Sequence, residues 1–274
     1  MPTAAPAAIP AARAASLARW NRFLAVAHFA QFVLMVAVSR TTALFEPIVP
    51  TIKPIFTDGK FTGVENTEVV LLSVPLAYVI ATFFLMSSIA HVAAGWVLRD
   101  RYEAWLARGM NPLRWVEYAF SSTLMIVAIA YISYITQFTA LIAIAVCNAS
   151  MNLFGWSMEA ANEGRLARGE RIDWKHFIFG CIAGLAPWVA ILSIVLAFSA
   201  QEGLPADAQI PAFVYAIIAT LFLSFNVFAI TMVLQYRQVG RWRDYLTGEK
   251  TYMLMSLIAK TLLAWQVWSG TLRP

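Results

Sequence analysis

Seven long apolar stretches run along this chain, separated by polar connections. Read in windows of about 19 residues, the pattern predicts helices over residues 17–40, 69–98, 112–135, 138–163, 173–200, 211–238 and 244–271. Each stretch has about the 20 residues that a helix needs to cross a bilayer. We therefore expect an all-α fold, a bundle of seven transmembrane helices, with Pro75 and Pro187 inside the second and fifth spans.

One long connection, residues 41–68, interrupts this pattern after the first predicted helix. It contains an Asp58-Gly59 pair, which favours a two-residue hairpin turn. Apolar residues flank the pair on both sides: Ile55, Phe56, Phe61 and Val64. We expect a small two-stranded β-ribbon here, and the alternative is an irregular loop stiffened by prolines.

The amino-terminal residues 1–16 are rich in Ala and Pro and predict a disordered tail before a membrane domain over 17–274. The apolar stretch from Phe23 to Val38 has nearly the length of a membrane span, and no small-residue cleavage site interrupts it before Arg40. A cleaved signal peptide is typically shorter and ends at such a site. The sequence therefore favours a retained first helix.

Composition supports lipid as the solvent of this chain. Of its 274 residues 60% are hydrophobic and 13% are charged, a balance typical of membrane proteins. Seven spans use up most of the length and leave no room for a second domain. Cys147 and Cys181 lie in apolar stretches, where a thiol behaves as a small hydrophobe.

The net charge of +5 comes from basic residues grouped in the connections, which indicates a topology signal and argues against nucleic-acid binding. Fifteen of the twenty basic residues fall on one predicted side. Cytoplasmic loops carry such an excess of Lys and Arg, so we expect a cytoplasmic amino terminus and an extracellular carboxyl terminus. The fifteen are Arg13, Arg19, Arg22, Arg99, Arg101, Arg108, Arg114, Arg165, Arg168, Arg171, Lys175, Arg237, Arg241, Arg243 and Lys250.

Lys260 is the one basic residue deep inside a predicted span. It follows Lys250 by ten residues, which places it roughly 15 Å deeper along a helix. A buried lysine can condense with an aldehyde, and the alternative is a structural ion pair with a carboxylate. Ser256 lies one turn earlier on the same face, where its hydroxyl can bond the lysine nitrogen or a helix carbonyl.

A cation at this depth needs a counter-charge, and the candidate carboxylates are Glu117 and Glu159. Glu159 is six residues from Arg165, so we expect it to reach the cytoplasmic interface and to be solvated. Glu117 is then the counterion, with Ser121 and Ser122 extending a polar face by one turn. Since Glu117 follows Arg114 by only three residues, Arg114 must be partly buried or the third helix must start deeper.

His28 and His91 lie at similar predicted depths in the first and second spans. Together with Glu117 they can line one polar cavity in the inner half and accept a proton, although a lone helical histidine is often a satisfied core residue. Aromatic side chains can enclose a flat polyene, and the candidates among them are Trp156, Trp188, Phe222, Phe225 and Trp265. Other aromatic residues face lipid or fill the core.

Several segments resemble heliorhodopsins. They are RWVEYAFSST in the third helix, NLFGWSMEAANE in the fourth, SFNVFAI and LQY in the sixth and SLIAK in the seventh. A lysine in the seventh helix with a carboxylate in the third is similar to microbial rhodopsins in general. Those proteins place the amino terminus outside, however, and the inverted orientation expected here is typical of heliorhodopsins.

The resemblance implies that Lys260 holds all-trans retinal as a protonated Schiff base beside Ser256, with Glu117 as sole carboxylate counterion. It implies that His28 and His91 belong to the polar inner cavity. The loop 41–68 resembles the segment that forms a β-ribbon across a homodimer interface. Heliorhodopsins are described as light sensors without robust ion pumping, which implies a photoreceptor with an unidentified cytoplasmic partner.

Two other function classes remain open at the level of sequence. One is a light-driven or light-gated transporter, although the outer half offers no obvious intramembrane Asp or Glu for proton release. The other is a retinal-free membrane protein in which Lys260 forms a structural ion pair. HExxH, GxSxG and phosphate-binding Gly motifs are absent from the sequence, so we expect neither an enzyme nor a metal site.

Overall fold

The structure is a computed structural model that describes residues 9–201, 203 and 209–274. This part of the chain is mostly helical, with two antiparallel strand pairs. The helices are α1 (Ala11–Val38), α2 (Leu76–Val92), α3 (Arg99–Ala107), α4 (Pro112–Ile132), α5 (Phe138–Ala161), α6 (Lys175–Ser199), α7 (Ala212–Tyr236) and α8 (Tyr245–Val267).

Among the described residues, six helices are long and apolar enough to cross a membrane: α1, α2, α4, α5, α6 and α7. A π-helical turn, Ala93–Val97, prolongs α2. The 23 residues of α8 include Glu249, Lys250 and Lys260, and this helix is not among the six. The chain is therefore a multi-pass membrane protein, and α8 as a seventh span stays a prediction.

Two helix starts differ from the sequence-based prediction. Since α1 begins at Ala11, residues 11–16 of the predicted tail are helical, while residues 1–8 lie outside the described residues. The second helix begins at Leu76, seven residues later than expected, because residues 69 and 70 belong to a strand. Pro75 therefore precedes α2 and does not interrupt it, whereas Pro187 lies inside α6 as predicted.

The short helix α3 was not predicted. Its nine residues, RDRYEAWLA, carry four charges, so a search for long apolar segments passes over it. Tyr102 and Leu106 are its buried residues. They pack with Leu17 and Leu246 and thereby hold α3 against the ends of α1 and α8.

The predicted β-ribbon is confirmed. Strands β2 (Ile48–Thr57) and β3 (Lys60–Val70) pair in antiparallel register around the Asp58-Gly59 turn. Both turn residues have positive φ, 50° and 75°, as type I′ hairpin turns require. A smaller pair, β1 (Leu44–Phe45) with β4 (Val74–Pro75), lies at the base of the ribbon.

Packing between successive long helices builds the bundle. Contacts join α1 to α2, α2 to α4, α4 to α5 and α5 to α6, and α8 contacts α7, α1 and α2. The largest buried cluster includes Phe83, Phe84, Ile126, Ile129 and Leu263. This arrangement leaves an interior space bounded by α4 to α8, in which the candidate site lies.

Candidate functional site

Lys260 is enclosed in the middle of α8, with 2% of its surface exposed. Its ammonium nitrogen Nζ donates a hydrogen bond to Ser256 Oγ at 2.7 Å, one helical turn earlier. The predicted proximity of these two residues is therefore observed. Nζ also lies 5.3 Å from the centre of the Tyr118 ring, close enough for a cation–π interaction.

Among the described residues, Glu117 is the carboxylate that pairs with this amine. Its Oε1 lies 3.5 Å from Lys260 Nζ, with side chains that are 8% and 3% exposed. The same oxygen accepts a hydrogen bond of 2.6 Å from Ser87 Oγ on α2. A buried ion pair of this kind needs further hydrogen bonds to offset the loss of water, and Ser87 and Ser256 each supply one.

A cavity of about 340 Å³ opens beside Lys260. Aromatic and aliphatic side chains form most of its wall. Trp188 packs edge-on against Phe222 and Phe225, with ring centres 5.3 and 5.7 Å apart. The lining residues include Trp115, Tyr118, Ser122, Met125, Met151, Asn152, Gly155, His176, Phe177, Cys181, Trp188, Phe222, Phe225, Ser256 and Lys260.

Gly155 shapes one wall of this cavity by permitting a close approach. A Cβ atom at this position would lie 2.4 Å from the ring of Trp115, far inside van der Waals contact. The glycine therefore lets the indole of α4 lie directly on the backbone of α5. Both residues line the cavity.

The two predicted histidines lie next to each other. The rings of His28 and His91 stack with centres 5.5 Å apart and an interplanar angle of 7°. His91 Nδ1 is 2.8 Å from Asn21 Oδ1, and among the described residues neither ring nitrogen of His28 has a hydrogen-bond partner. His91 and Glu117 line a second, polar cavity of about 30 Å³, which has room for about one water molecule.

A buried ionic cluster adjoins that cavity on the side where the arginines are concentrated. Arg114 pairs with Glu159 at 2.5 Å and with Glu249, and its side chain is 4% exposed. Two carboxylates against one guanidinium leave an excess negative charge if both acids are ionised. Neutral donors surround the acids and offset this excess: the Tyr102, Tyr245, Asn111 and Trp115 side chains and the Asn111 backbone N–H.

The arrangement of a buried amine, one carboxylate and an apolar cavity can be compared with known proteins. The family model of heliorhodopsins matches residues 17–272, nearly the whole chain. The chain belongs to the heliorhodopsin family. Membership implies a retinal-binding rhodopsin in the membrane. Comparison with curated proteins finds no match.

The residues on the cavity wall fit retinal. Retinal is an apolar polyene with one aldehyde, so its site needs a primary amine at one point and apolar contact elsewhere. Lys260 Nζ supplies the amine, and Trp188, Phe222 and Phe225 supply flat apolar surfaces. Among the described residues, Lys260 is the only lysine or arginine that lines this cavity.

Some predicted site residues lie elsewhere. Ser122 lines the cavity, whereas Ser121 is fully buried outside it and its Oγ has no hydrogen-bond partner among the described residues. Trp156 is 37% exposed and does not line the cavity. One residue along a helix turns the side chain by about 100°, so Trp156 points away from the face that Gly155 presents. Its assignment to the retinal pocket stays a prediction, which this position does not favour.

The prediction that Glu159 is solvated at the interface is wrong. Glu159 is 2% exposed and ion-paired to Arg114. Arg114 is one of the fifteen basic residues expected on the cytoplasmic side, yet only 6% of its surface is exposed. The burial of Arg114 explains how Glu117, only three residues further along α4, lies as deep as Lys260. It is one of the two alternatives that the sequence leaves open.

Sequence reasoning missed Ser87 and Glu249. Ser87 stands in the apolar segment LMSSIAHV, four residues before His91, and a polar pair in such a segment is a usable signal. Glu249 precedes Lys250 at the start of α8 and looks like an ordinary interfacial residue. Only its contact with Arg114, which is 135 residues away in sequence, identifies it as part of the buried cluster.

Proposed function

We propose that this protein is a photoreceptor in which Lys260 carries all-trans retinal and light drives a local proton transfer. The pairing of Lys260 Nζ with Glu117 Oε1 at 3.5 Å, at the wall of an apolar cavity, carries the proposal. Retinal attached at Lys260 supplies absorption of visible light and isomerisation. Ser256, Ser122, Phe222 and Phe225 are proposed as contacts, and Ser121 remains a prediction.

In the dark, Glu117 is the counterion that stabilises a positive charge at Nζ of Lys260. Ser256 Oγ holds the position of Nζ at 2.7 Å, and Ser87 Oγ holds the carboxylate at 2.6 Å. This geometry offers the proton on Nζ a single nearby carboxylate, since no other described carboxylate pairs with Lys260. After illumination the proton moves from Nζ to Glu117.

The polar cavity provides a place for the proton beyond Glu117. His91 lines it together with Glu117, and His28 stacks on His91. A neutral imidazole can accept a proton, and His28 has free ring nitrogens among the described residues. We assign His28 and His91 to proton storage next to the counterion.

Loss of charge at Glu117 also reaches the ionic cluster. Arg114 and Glu117 are on the same face of α4, three residues apart, and both line the polar cavity. The cluster ties α4 to α5 through Glu159 and to α8 through Glu249. A change in its electrostatics would shift these helices and alter the surface presented to a cytoplasmic partner.

The carboxylates favour a sensor over a proton pump. The carboxylates in the described long helices are Glu117, Glu159 and Glu249, and all three lie towards the arginine-rich end of the bundle. An outward pump needs acids along a path through both halves. A light-driven or light-gated transporter is the alternative, and light-induced pH changes in a suspension of expressing cells would favour it.

Three structural features complete the proposal. We propose that α8 is the seventh span, because it packs against α7, α1 and α2 with Lys260 buried. The amino terminus is cytoplasmic, because basic residues are concentrated at that end of the bundle. Two copies form a homodimer through the β2–β3 ribbon, which then lies in the first extracellular loop.

The first experiment is a visible absorption spectrum of the protein expressed with all-trans retinal, beside the Lys260→Ala variant. We expect a visible band in the wild type and none in the variant. Lys250→Ala is the matched control, because it removes an exposed lysine from the same helix. A folded wild type without a visible band would overturn the proposal and leave Lys260 as a structural ion-pair partner.

A further inference from the structure

A groove between α1 and α8 lies at the arginine-rich end of the bundle, away from the retinal cavity. Its volume is about 780 Å³. Both helices contribute to it, together with the turn before α8. The lining residues are Ser16, Arg19, Trp20, Phe23, Arg241, Thr247, Lys250, Thr251, Leu254 and Met255.

Among the described residues, the groove is lined by three cations and no acid. Arg19, Arg241 and Lys250 are all exposed, and within the described part of the chain none of them forms a salt bridge. Lys250 Nζ is 3.4 Å from Ser16 Oγ, so this lysine spans the gap between α8 and α1. The groove therefore holds uncompensated positive charge.

Nearby acids are committed to other partners. Asp244 bonds Arg13 and the Thr247 hydroxyl, the latter at 3.0 Å. Glu249 is directed into the bundle, where it pairs with Arg114. Neither acid lines the groove.

The character of the groove changes along its length. Phe23 and Leu254 each follow a cation by four residues, which places them about 6 Å deeper along their helices. They are 54% and 43% exposed. Trp20 stacks on Phe23 with ring centres 5.4 Å apart, as is typical of aromatic residues at the boundary between headgroups and hydrocarbon.

We infer that this groove binds the headgroup of an anionic phospholipid, with the phosphate between Arg19, Arg241 and Lys250 and an acyl chain along Phe23 and Leu254. Basic pockets between membrane helices commonly bind lipid headgroups in this way. A free phosphate would meet the cations but leave the apolar half of the groove uncovered. Because charged surface is followed by apolar surface along the groove, a phospholipid fits it better than a free phosphate does.

The test is native mass spectrometry of the detergent-purified protein with dioleoylphosphatidylglycerol, beside dioleoylphosphatidylcholine. We expect one tightly held phosphatidylglycerol and weaker binding of phosphatidylcholine. The variant Arg19→Gln/Lys250→Gln should bind phosphatidylglycerol at least tenfold more weakly, since each cation near an anionic lipid contributes about fivefold. Lys250→Gln alone should weaken it about fivefold, which keeps the test usable if the double variant fails to fold.

The matched control is Arg101→Gln/Arg171→Gln, which removes the same charge from exposed positions outside the groove. It should bind phosphatidylglycerol like the wild type. Equal weakening in the control, or no preference for phosphatidylglycerol in the wild type, would overturn the inference. Displacement of the lipid by an equal concentration of inorganic phosphate would show an anion site instead of a lipid site.

Discussion

The Lys260–Glu117 pair combines two charges that would each be costly in an apolar interior. At 3.5 Å, opposite charges attract by on the order of 4 kcal/mol at an effective dielectric constant of roughly 20. That attraction, with the hydrogen bonds from Ser87 and to Ser256, offsets the loss of hydration. The pair is therefore stable where it lies and sensitive to any change in either charge.

Removing the charge of Glu117 should change the colour of the retinal-loaded protein. A nearby anion stabilises the ground state, in which the positive charge lies at Nζ. Glu117→Gln removes this stabilisation and therefore lowers the energy difference between the ground state and the excited state. We expect the visible band of the protonated form to move to longer wavelength. Glu117→Asp, which keeps the charge, should stay closer to the wild type, and equal spectra for Glu117→Gln and wild type would exclude Glu117 as counterion.

Arg114 presents a different case, because one buried cation serves two acids. If Arg114 is removed, Glu159 and Glu249 lose their common partner. Both acids are buried, with 2% and 1% of their surfaces exposed to solvent. Leaving buried charges unpaired costs about 3–5 kcal/mol. The tyrosine, asparagine and tryptophan donors around the two acids cannot replace a full positive charge.

We therefore expect Arg114→Met to lower the free energy of unfolding by about 3–5 kcal/mol, measured in mixed micelles. Arg108→Met is the control. It breaks the exposed Arg108–Glu163 pair, 2.6 Å apart, and should cost less than about 1 kcal/mol. Adding Glu159→Gln and Glu249→Gln to Arg114→Met should recover part of the loss. Equal costs for the two arginine variants would contradict this account of the cluster.

Among the larger elements, the β2–β3 ribbon has more exposed apolar surface than a solvated hairpin needs. Phe56 and Phe61 are each 62% exposed, and Ile52 is 67% exposed. The base of the ribbon is held in place, since Ile48 N donates to Thr136 O in the connection between α4 and α5. The ribbon thus projects a fixed apolar face that a second copy can cover.

Replacing that face should weaken the proposed homodimer. We expect Phe56→Ser/Phe61→Ser to raise the dimer dissociation constant about tenfold or more, since burial of such side chains contributes about 1.5–3 kcal/mol each. Light scattering coupled to size-exclusion chromatography measures this shift. The control is Lys53→Ser/Glu65→Ser, which replaces two charged residues that are cross-strand partners in the ribbon. It should leave the dimer intact. A wild type that is monomeric at all concentrations would exclude the dimer.

The molecule as a whole is electrically asymmetric. With Arg114 buried in the cluster, fourteen basic residues remain at the end of the bundle where α1 begins, and the opposite end has Arg40, Lys53, Lys60 and Arg273. Moving that many cations across a membrane is unfavourable, so we expect insertion to keep the basic end in the cytoplasm. The difference of fourteen basic residues against four persists although Arg114 is buried.

Cysteine labelling of intact cells tests the orientation. In a background with Cys147→Ser and Cys181→Ser, we expect a membrane-impermeant maleimide to label Lys60→Cys at once. Arg171→Cys should react only after lysis, because it lies at the opposite end of the bundle, which we propose is cytoplasmic. Labelling in the reverse order would mean that the amino terminus is outside.

The positions of most helices, the ribbon and the Lys260–Ser256 pair follow from sequence alone because each depends on local information. Apolar length defines a span, Asp58-Gly59 provides the two positive φ angles of the turn, and a four-residue spacing places Ser256 beside Lys260. The segments around Glu117 and Lys260 also indicated the heliorhodopsin family, which the family match confirms.

Contacts between distant segments decided the rest. A glutamate six residues from an arginine is expected in water, and Glu159 is buried only because Arg114 on α4 and donors from other elements surround it. Glu249 joins that cluster for the same reason. Helix α2 starts later than expected because residues 69 and 70 belong to β3 and residues 74 and 75 belong to β4. The free energy of a buried charge depends on partners brought together by folding, and no local pattern in the chain contains them.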